Sequence, residues 1–281
     1  MDFRLNEEQE LICRNMREFC TLYVEPVVQE IDENCRFPGE VFEKLKEMGW
    51  MGMPFPVRYG GGGLDYLTYA LVMEQLARSS ASVCLDLACH ILASLVINNY
   101  GNEEQKQKYL KQLCQGNLMG AFAVTEPGAG TDMAAMSTTA VLDGNEWVIN
   151  GGKTFITNGP VADVFTVVAY TDKAMGSKGM SAFIVTRDAP GFKVGAHYTK
   201  MGMRSSQTSD LLFRECRIPR ENLLGEEGMG FKIAMTSLDH GRMIIAAQAV
   251  GIVQSALDEC INYAKRRIQF GKPIADNQAI Q

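Results

Sequence analysis

The sequence predicts an α+β protein of three parts: a helical bundle, a middle β-barrel or sandwich domain, and a truncated C-terminal helical bundle. Two observations predict this division. Apolar residues recur at helical spacing in the first part, then short alternating or β-branched segments separated by turn residues take over, and helical spacing returns in the third part. The predicted domains are residues 1–117, 118–228 and 229–281.

Cap residues mark the ends of the first helices. Asn6 precedes the first apolar stripe with Gln9 three positions later, which is a capping box, and Asn102 with Gln105 repeats the pattern before the last helix of the domain. Asp65 is a further N-cap. The spacing of apolar residues predicts the inward faces of two intervening helices: Val41, Phe42, Leu45 and Met48 in one, and Leu67, Leu71, Val72 and Leu76 in the other.

One helix of this domain, predicted from Ser80 to Asn99, is apolar nearly all round. A helix of this kind must be buried between others. Asp86 and His90 lie four residues apart on it and could pair with each other. The alternative interpretation is a histidine whose hydrogen bonds are satisfied within the bundle.

Turn dipeptides separate the short segments of the second domain. Asp143-Gly144, Asn150-Gly151 and Asn158-Gly159 are typical of tight turns and predict hairpins. Strands spaced in this way are typical of a barrel or a sandwich. They are predicted at Ala121–Thr125, Thr138–Leu142, Trp147–Asn150, Phe165–Tyr170, Ala182–Val185 and Asp210–Arg214.

A single helix of nearly forty residues is predicted from Met229 to about Arg267, where neither proline nor a convincing break occurs. A helix this long cannot stand alone and must pack against partners. Only residues 270–281 follow it, and the last three resemble the start of another helix. We therefore expect that most of the C-terminal bundle lies beyond Gln281.

Composition excludes several classes of function. The formal net charge of −6 gives no general attraction to nucleic acid or to anionic membranes. Eight cysteines without a CxxC pair, and three scattered histidines, predict reduced thiols and no metal site. The amino terminus resembles neither a signal nor a transit peptide, and the longest apolar run, near Ile91 to Ile97, is too short to span a bilayer. A cytoplasmic, non-membrane protein is predicted.

Four segments carry residues suited to chemistry. The first, from Phe122 to Asp132, is a strand end followed by a tight loop with a proline and two glycines, which suits a planar, hydrogen-bonding ligand. The second, from Lys153 to Asn158, is a strand that carries an aromatic residue and ends in a hydroxyl. The others are Leu238 to Arg242, within the long helix, and Arg267 to Ile274. Any one of them alone could be purely structural.

In their order and spacing, these four segments resemble the acyl-CoA dehydrogenase family, and the resemblance covers the whole chain. It implies FAD as cofactor and an acyl-CoA thioester as substrate. In this family a base removes the proton alpha to the thioester while the flavin takes hydride from the beta carbon. The residues around Gly241 are most similar to the short-chain, butyryl-CoA-like branch; branched, aromatic and alicyclic acyl groups stay open.

The resemblance also implies roles for individual residues. Phe155 would pack against the flavin ring, and Thr157 would hydrogen-bond near flavin N5, the hydride acceptor. The residues expected at the acyl-CoA are Thr131, Phe231, Asp239 and Arg242. The cofactor residues expected within the subunit are Phe122, Ala123, Val124, Thr125, Gly130, Thr131, Phe155, Ile156 and Thr157. The resemblance also implies a homo-oligomer, which is a tetramer in the family. The residues expected to reach the FAD of a neighbouring subunit are Arg267, Gln269, Phe270 and Gln278.

No catalytic base is assigned within the chain. The family usually supplies a glutamate late in the C-terminal bundle, beyond Gln281, and some members place one on the long helix where this sequence has Gly241. Glu126 matches no base position. The resemblance implies electron-transfer flavoprotein as the acceptor of electrons; the alternatives are an oxidase of the same fold and a catalytically inert fragment.

Overall fold

The computed structural model describes residues 4–281; residues 1–3, which the sequence analysis includes in the helical domain, lie outside the described part. A first group of seven helices precedes the strands, and one long helix follows them. The helices are α1 Glu7–Phe19, α2 Val28–Glu33, α3 Gly39–Glu47, α4 Tyr66–Ser79, α5 Ala81–Tyr100, α6 Glu103–Gln105, α7 Lys111–Cys114 and α8 Gly230–Arg266. π-Helical turns extend α1 through Cys20–Val24 and join α6 to α7 through Lys106–Leu110.

The predicted caps are confirmed. The Asn6 side chain accepts a hydrogen bond from the Gln9 backbone N–H at 2.8 Å, and the Gln9 side chain accepts one from the Asn6 backbone N–H. Asn102 and Gln105 form the same box before α6. Asp65 accepts from the Thr68 N–H at 2.7 Å and begins α4. The helix starts could be predicted because these bonds are local in sequence.

Two side chains predicted to face the core are exposed. Met48 is the residue that follows α3, where the backbone has left helical geometry (φ −92°, ψ 2°), so its side chain departs from the helical stripe. Leu67 lies in the first turn of α4, whose buried face is formed by Thr68, Tyr69 and Val72. Apolar residues lie on several sides of α4, so the sequence allows more than one inward face, and packing selects among them.

Helix α5 is buried on nearly every side, as predicted. Asp86 and His90 do not pair with each other. The Asp86 carboxylate accepts from the Ser206 hydroxyl at 2.5 Å, and His90 Nδ1 accepts from the Gly120 N–H at 3.0 Å. Burial lowers the pKa of His90 to about 4, so the ring is neutral at pH 7 and can accept that bond. Both polar residues of α5 therefore bind segments outside the helix.

The middle of the chain forms one eight-stranded sheet that encloses its own core. The strands are β1 Gly120–Ala123, β2 Thr139–Asp143, β3 Glu146–Thr157, β4 Val164–Tyr170, β5 Met180–Thr186, β6 Phe192–His197, β7 Thr208–Pro219 and β8 Leu223–Leu224, in the order β6-β7-β3-β2-β4-β5-β8, with β1 on the edge of β4 beside β2. Side chains from β3 and β5 meet inside, where the Trp147 and Phe183 rings lie 5.2 Å apart. The two halves of the sheet thus face each other, as in a sandwich.

The turn predictions have different outcomes. Asp143-Gly144 is confirmed: β2 and β3 are antiparallel, with Asp143 opposite Glu146. Asn150-Gly151 is wrong as a turn, because β3 continues through it with a register shift against β7, which is a bulge. Asn158-Gly159 ends β3, but the next strand, β4, pairs with β1, β2 and β5 instead. Strands β6 and β8 were not predicted.

The predicted long helix is confirmed as α8, which has 37 residues. It packs along α4 and α5, and Gln248 donates to the Ala81 carbonyl at 2.7 Å. By length and composition α5 and α8 are each long and apolar enough to cross a membrane; α5, however, is a mostly buried core helix. A small hairpin of β9 Ile268–Gln269 and β10 Lys272–Pro273 follows α8.

Candidate active site

A cleft of about 370 Å³ lies where β1, β3, α5 and α8 meet. It brings together the predicted loop and strand residues from distant parts of the sequence. Its lining includes eight of the predicted cofactor residues and Arg242: Phe122, Val124, Thr125, Gly130, Thr131, Phe155, Ile156 and Thr157. Cys89, Leu92, Met133, Met235 and Leu238 complete it. The arrangement is an apolar cleft with a few polar groups, which is typical of a small-molecule site.

Phe155 is displayed at this cleft by a second irregularity of β3. The register against β7 shifts between Lys153 and Ile156, and Phe155 has a left-handed backbone (φ 58°). The residue is 61% exposed, and its ring lies 4.8 Å from the ring of Tyr198. A left-handed conformation is costly for a bulky residue. Strain that holds an aromatic ring in the open at a cleft indicates a ligand-facing role.

A buried ion pair ties the loop after β1 to β3. The Lys153 ammonium lies 2.7 Å from the Glu126 carboxylate and donates to the Val124 carbonyl at 3.0 Å. Glu126 also accepts from the backbone N–H and hydroxyl of Ser137 and from the Thr138 N–H. With the Thr154 N–H bonded to the Thr125 carbonyl at 2.9 Å, these contacts fix Val124 and Thr125 against Phe155 and Thr157.

The electrostatics of this pair explain the role of Glu126. Burial alone would raise the pKa of Glu126, but the Lys153 charge and the hydrogen bonds to the carboxylate hold it at about 2. Burial lowers the pKa of Lys153 to about 8, against the opposing attraction of Glu126. A carboxylate held ionised by so many donors is a poor proton acceptor. Glu126 is therefore an anchor of the loop, which agrees with its match to no base position.

An apolar cavity of about 320 Å³ adjoins the cleft and shares Cys89, Leu92, Leu238 and Arg242 with it. It continues between α4, α5 and α8, where its lining includes Tyr66, Tyr69, Ala88, Ile91, Leu95, His240, Gly241, Ile244 and Ile245. The Tyr66 and His240 rings lie 4.7 Å apart. Among the residues described, neither space is lined by an aspartate or a glutamate.

The structure places the other predicted substrate and cofactor residues outside the cleft lining. Asp239 is exposed on α8 and forms an ion pair with Arg242. Phe231, near the start of α8, packs against the helical core. The Ala123 side chain points into the core of the β-domain.

Arg267, Gln269, Phe270 and Gln278 lie far from the cleft of their own chain. From Arg242 to Arg266 helix α8 rises by about 36 Å. The four residues are exposed, and Phe270 has a left-handed backbone (φ 51°) with its side chain fully open. These residues cannot line the cleft of their own chain. Their exposed position is compatible with contact to the cleft of another copy of the chain.

The α5 wall of the site is not evident from the sequence. Cys89 and Leu92 lie in an apolar helix, and nothing in such a helix distinguishes the side chains that line a cavity. Burial raises the pKa of the Cys89 thiol to about 12, with a further rise from nearby Asp86, while a hydrogen bond with Thr157 opposes it. All eight cysteines are unpaired.

Family models match the chain in three consecutive blocks that agree with this architecture. The acyl-CoA dehydrogenase N-terminal domain matches residues 6–117, the middle domain residues 121–216, and the C-terminal domain residues 228–281. The chain belongs to the acyl-CoA dehydrogenase family. The cleft lies where these three family domains meet.

Individual relatives of this family are similar over the full chain. The short-chain specific acyl-CoA dehydrogenase of Clostridium acetobutylicum is 47% identical over 100% of this chain and 74% of its own length. Butyryl-CoA dehydrogenase from Megasphaera elsdenii is 42% identical with a TM-score of 0.97, and a structure described as the electron transferring flavoprotein of Acidaminococcus fermentans is 45% identical with a TM-score of 0.98. Each covers 100% of this chain and 74% of the other. The homologues make this chain an oxidoreductase of the acyl-CoA dehydrogenase type.

Proposed function

We propose that the chain binds FAD in the cleft and takes part in the alpha,beta-dehydrogenation of a short acyl-CoA thioester. The observation that carries the proposal is the assembly of Phe155, Thr157, Thr125 and Arg242 around one cleft. The first three were expected at the flavin and Arg242 at the acyl-CoA, although they come from three separate segments of the sequence.

The residues present fit a flavin. Phe155 offers an exposed aromatic face, Phe122 and Val124 offer apolar surface, and Thr125 and Thr157 offer hydroxyl groups at the edges of the cleft. When bound, the flavin supplies hydride acceptance. The protein supplies the rest: Phe155 packs against the ring, Thr157 donates a hydrogen bond toward the acceptor position, and the Lys153–Glu126 pair keeps the loop in place.

The acyl group fits the apolar cavity that adjoins the cleft. Because Cys89, Leu92 and Leu238 border both spaces, a thioester near the flavin can direct its carbon chain between α5 and α8. Arg242, with Asp239 beside it, lies on the outer rim, where a polar part of the thioester would pass. A short, unbranched acyl chain is proposed, which agrees with the names of the Clostridium and Megasphaera relatives.

We place the proton acceptor outside residues 1–281. Neither space is lined by a described carboxylate, and Glu126 is held ionised by its donors. Removing a positioned base costs a factor of about 10² to 10⁴ in rate. The 281-residue chain alone is therefore expected to bind FAD with little or no turnover.

The proposed partners are an electron-transfer flavoprotein, as acceptor of electrons, and further copies of the chain. The similarity to the Acidaminococcus structure supports the first. The distance of Arg267, Gln269, Phe270 and Gln278 from their own cleft supports the second. A cytoplasmic location is part of the proposal and rests on the sequence alone.

The test begins with FAD titration of the purified apoprotein, comparing the unmodified chain with Thr157→Val and Thr157→Ser. Thr157→Val removes the hydroxyl and should change the flavin midpoint potential and visible spectrum with little effect on unfolding. Thr157→Ser retains the hydroxyl and should resemble the unmodified protein. Full flavin occupancy with an unchanged potential in Thr157→Val would refute the N5 contact; no FAD binding by any form would refute the proposed function.

The acceptor is tested on the FAD-loaded protein as its own gene encodes it. Photoreduced flavin should pass electrons to an electron-transfer flavoprotein and react slowly with air. Rapid reoxidation by air would instead identify an oxidase of the same fold. Turnover with butyryl-CoA, hexanoyl-CoA and branched thioesters then ranks the acyl groups, and a preference for branched thioesters would contradict the short-chain proposal.

A further inference from the structure

Asn158 stands directly after Thr157 and is fully buried. Its backbone is left-handed (φ 65°), a conformation that asparagine tolerates better than most residues other than glycine. It is not a hairpin residue, because the chain leaves β3 here and does not return alongside it. The buried position and the unusual backbone call for a reason other than a turn.

The amide of Asn158 bridges two elements that wall the cleft. Its Nδ2 donates to the Asp86 carbonyl on α5 at 2.8 Å and to the Gly120 carbonyl at the start of β1 at 3.2 Å. The Asn158 backbone N–H donates to the Gln207 carbonyl at 2.8 Å. One side chain therefore joins the end of β3 to α5 and β1, and its backbone joins the same point to the segment before β7.

Each bridged element carries cleft residues. Asp86 lies one helical turn before Cys89, which lines the cleft together with Thr157. Gly120 begins the strand that leads to Phe122 and Val124. The N–H of Gly120 donates to His90, so both backbone polar groups of Gly120 are bound by side chains, one from α5 and one from the residue after β3.

The surroundings leave little freedom for this junction. A Cβ on Gly120 would lie 3.1 Å from the Ala93 Cβ, and a Cβ on Gly159 would lie 2.4 Å from the Ser209 hydroxyl oxygen. Such close approaches mean that small shifts of β3 are resisted by backbone and side-chain contacts. Loss of the Asn158 bridge would leave two buried carbonyls without that donor.

We propose that Asn158 is a positioning residue: it fixes the Thr157 wall of the cleft against α5 and β1, and so orients the Thr157 hydroxyl toward the cofactor. This rests on the proposed function of the cleft. The role belongs to the side-chain amide, because a glycine could adopt the same backbone conformation without it.

The decisive variant is Asn158→Gly, which keeps the left-handed backbone and removes both donors. Asn150→Gly is the matched control, since Asn150 lies on β3, which ends just before Asn158, exchanges two hydrogen bonds with Glu215, and is absent from the cleft lining. If Asn158→Gly does not fold, Asn158→Ser is the milder substitution, because its hydroxyl retains one donor.

In the FAD-loaded protein, Asn158→Gly should weaken FAD binding by about tenfold, the factor that corresponds to one net hydrogen bond. It should also shift the flavin midpoint potential, and the shift should disappear in the Thr157→Val background. Asn150→Gly should change neither quantity. The proposal would be overturned if the effects of Asn158→Gly and Thr157→Val on the midpoint potential were additive. Equal effects of Asn158→Gly and Asn150→Gly would also overturn it.

A second measurement does not depend on FAD. In the apoprotein, a maleimide should alkylate Cys89 about tenfold faster in Asn158→Gly than in Asn150→Gly. Mass spectrometry maps the alkylated cysteine, and the exposed Cys260 serves as the internal reference. An unchanged rate refutes the positioning role even if FAD binds normally. Failure of the unmodified protein to bind FAD refutes the proposed function instead, so the two failures are distinguishable.

Discussion

Lys153 and Glu126 show how one buried contact between single residues can maintain a cleft. The pair stands behind the flavin-facing loop, and both side chains are almost fully buried. Breaking a buried pair by removing one charge typically costs about 3–5 kcal/mol, because the other charge stays buried without compensation. Glu126→Gln should therefore destabilise the β-domain and loosen Val124 and Thr125.

The effect of Glu126→Gln should depend on pH in a defined window. The folded pKa of about 2 lies below the ordinary value of 4.5, so the unfolded chain takes up the proton first as pH falls. The stability contributed by Glu126 is therefore complete above about pH 4.5 and is lost toward pH 2. Urea unfolding of both proteins should show a difference that shrinks across this window, and a difference independent of pH would contradict the assignment.

Position 241 offers a place where a base can be introduced by substitution. A Cβ added at Gly241 would have room, because the nearest atoms, the Leu92 methyl carbons, lie 3.8 Å away. Gly241→Glu should place a carboxylate in the apolar cavity that adjoins the cleft and raise flavin reduction by butyryl-CoA on the order of 10²-fold over Gly241→Gln. Anaerobic bleaching of bound FAD measures it. Equal rates for the two variants would show that position 241 cannot serve the reacting carbon.

Rapid flavin reduction by the unmodified chain would indicate that a proton acceptor is already present within residues 1–281. His240 is the neighbouring titratable side chain at the apolar cavity, and its buried Nδ1 has no partner among the described residues. If the unmodified chain reduced its flavin rapidly and His240→Gln abolished this, the proton acceptor would lie within residues 1–281. Our placement of the base would then be wrong.

Among the elements, α8 packs closely against α4 of the N-terminal helical domain. At Gly251 it crosses α4, where an added Cβ would lie 2.3 Å from the Glu74 carbonyl oxygen and 2.8 Å from the Ala77 Cβ. The crossing needs glycine for space, although alanine is favoured in helices by about 1 kcal/mol.

Alanine substitutions at two glycines of α8 should therefore have opposite signs. Gly251→Ala should destabilise by about 1–3 kcal/mol, because overpacking outweighs helix propensity. Gly241→Ala, where space is open, should stabilise by about 0.5–1 kcal/mol. Denaturant unfolding measures both. Stabilisation by both substitutions would show that α4 and α8 can separate without cost.

For the whole molecule, the outward side of α8 predicts self-association. Met243, Ile245, Val250, Ile252, Val253, Leu257, Ile261 and Tyr263 are exposed along it. An apolar surface of this length is normally covered by another helix or another subunit. Sedimentation velocity should give a concentration-dependent mass above 31.0 kDa.

Val253→Glu should reduce this association, because it places a charge in the middle of the exposed face. Val57→Glu is the matched control, since Val57 is equally exposed but belongs to the N-terminal domain. A monomer at all concentrations, or equal reduction by both variants, would contradict the role of α8.

The sequence by itself determined the domain order, the cap residues, α8 and most strands. These features depend on hydrogen bonds and periodicities within a few residues, which a single sequence records directly. It also indicated Phe155, Thr157 and Arg242 through motifs with characteristic spacing. The sequence did not determine the inward face of α4, where apolar residues lie on several sides. It also did not determine the bulge at Asn150-Gly151, because this dipeptide is equally compatible with a turn.

Tertiary structure decided which of these segments form one site. Cys89 and Leu92 carry no motif that distinguishes them from core residues; they become site residues because α5 packs against the end of β3. Asn158 ends one of the motif segments, but only the structure shows that its amide binds α5 and β1. The same holds for Asp86 and His90, whose i,i+4 spacing allowed a mutual pair but whose partners came from the β-domain. Contacts between residues far apart in sequence have no local signature, so only packing could reveal them.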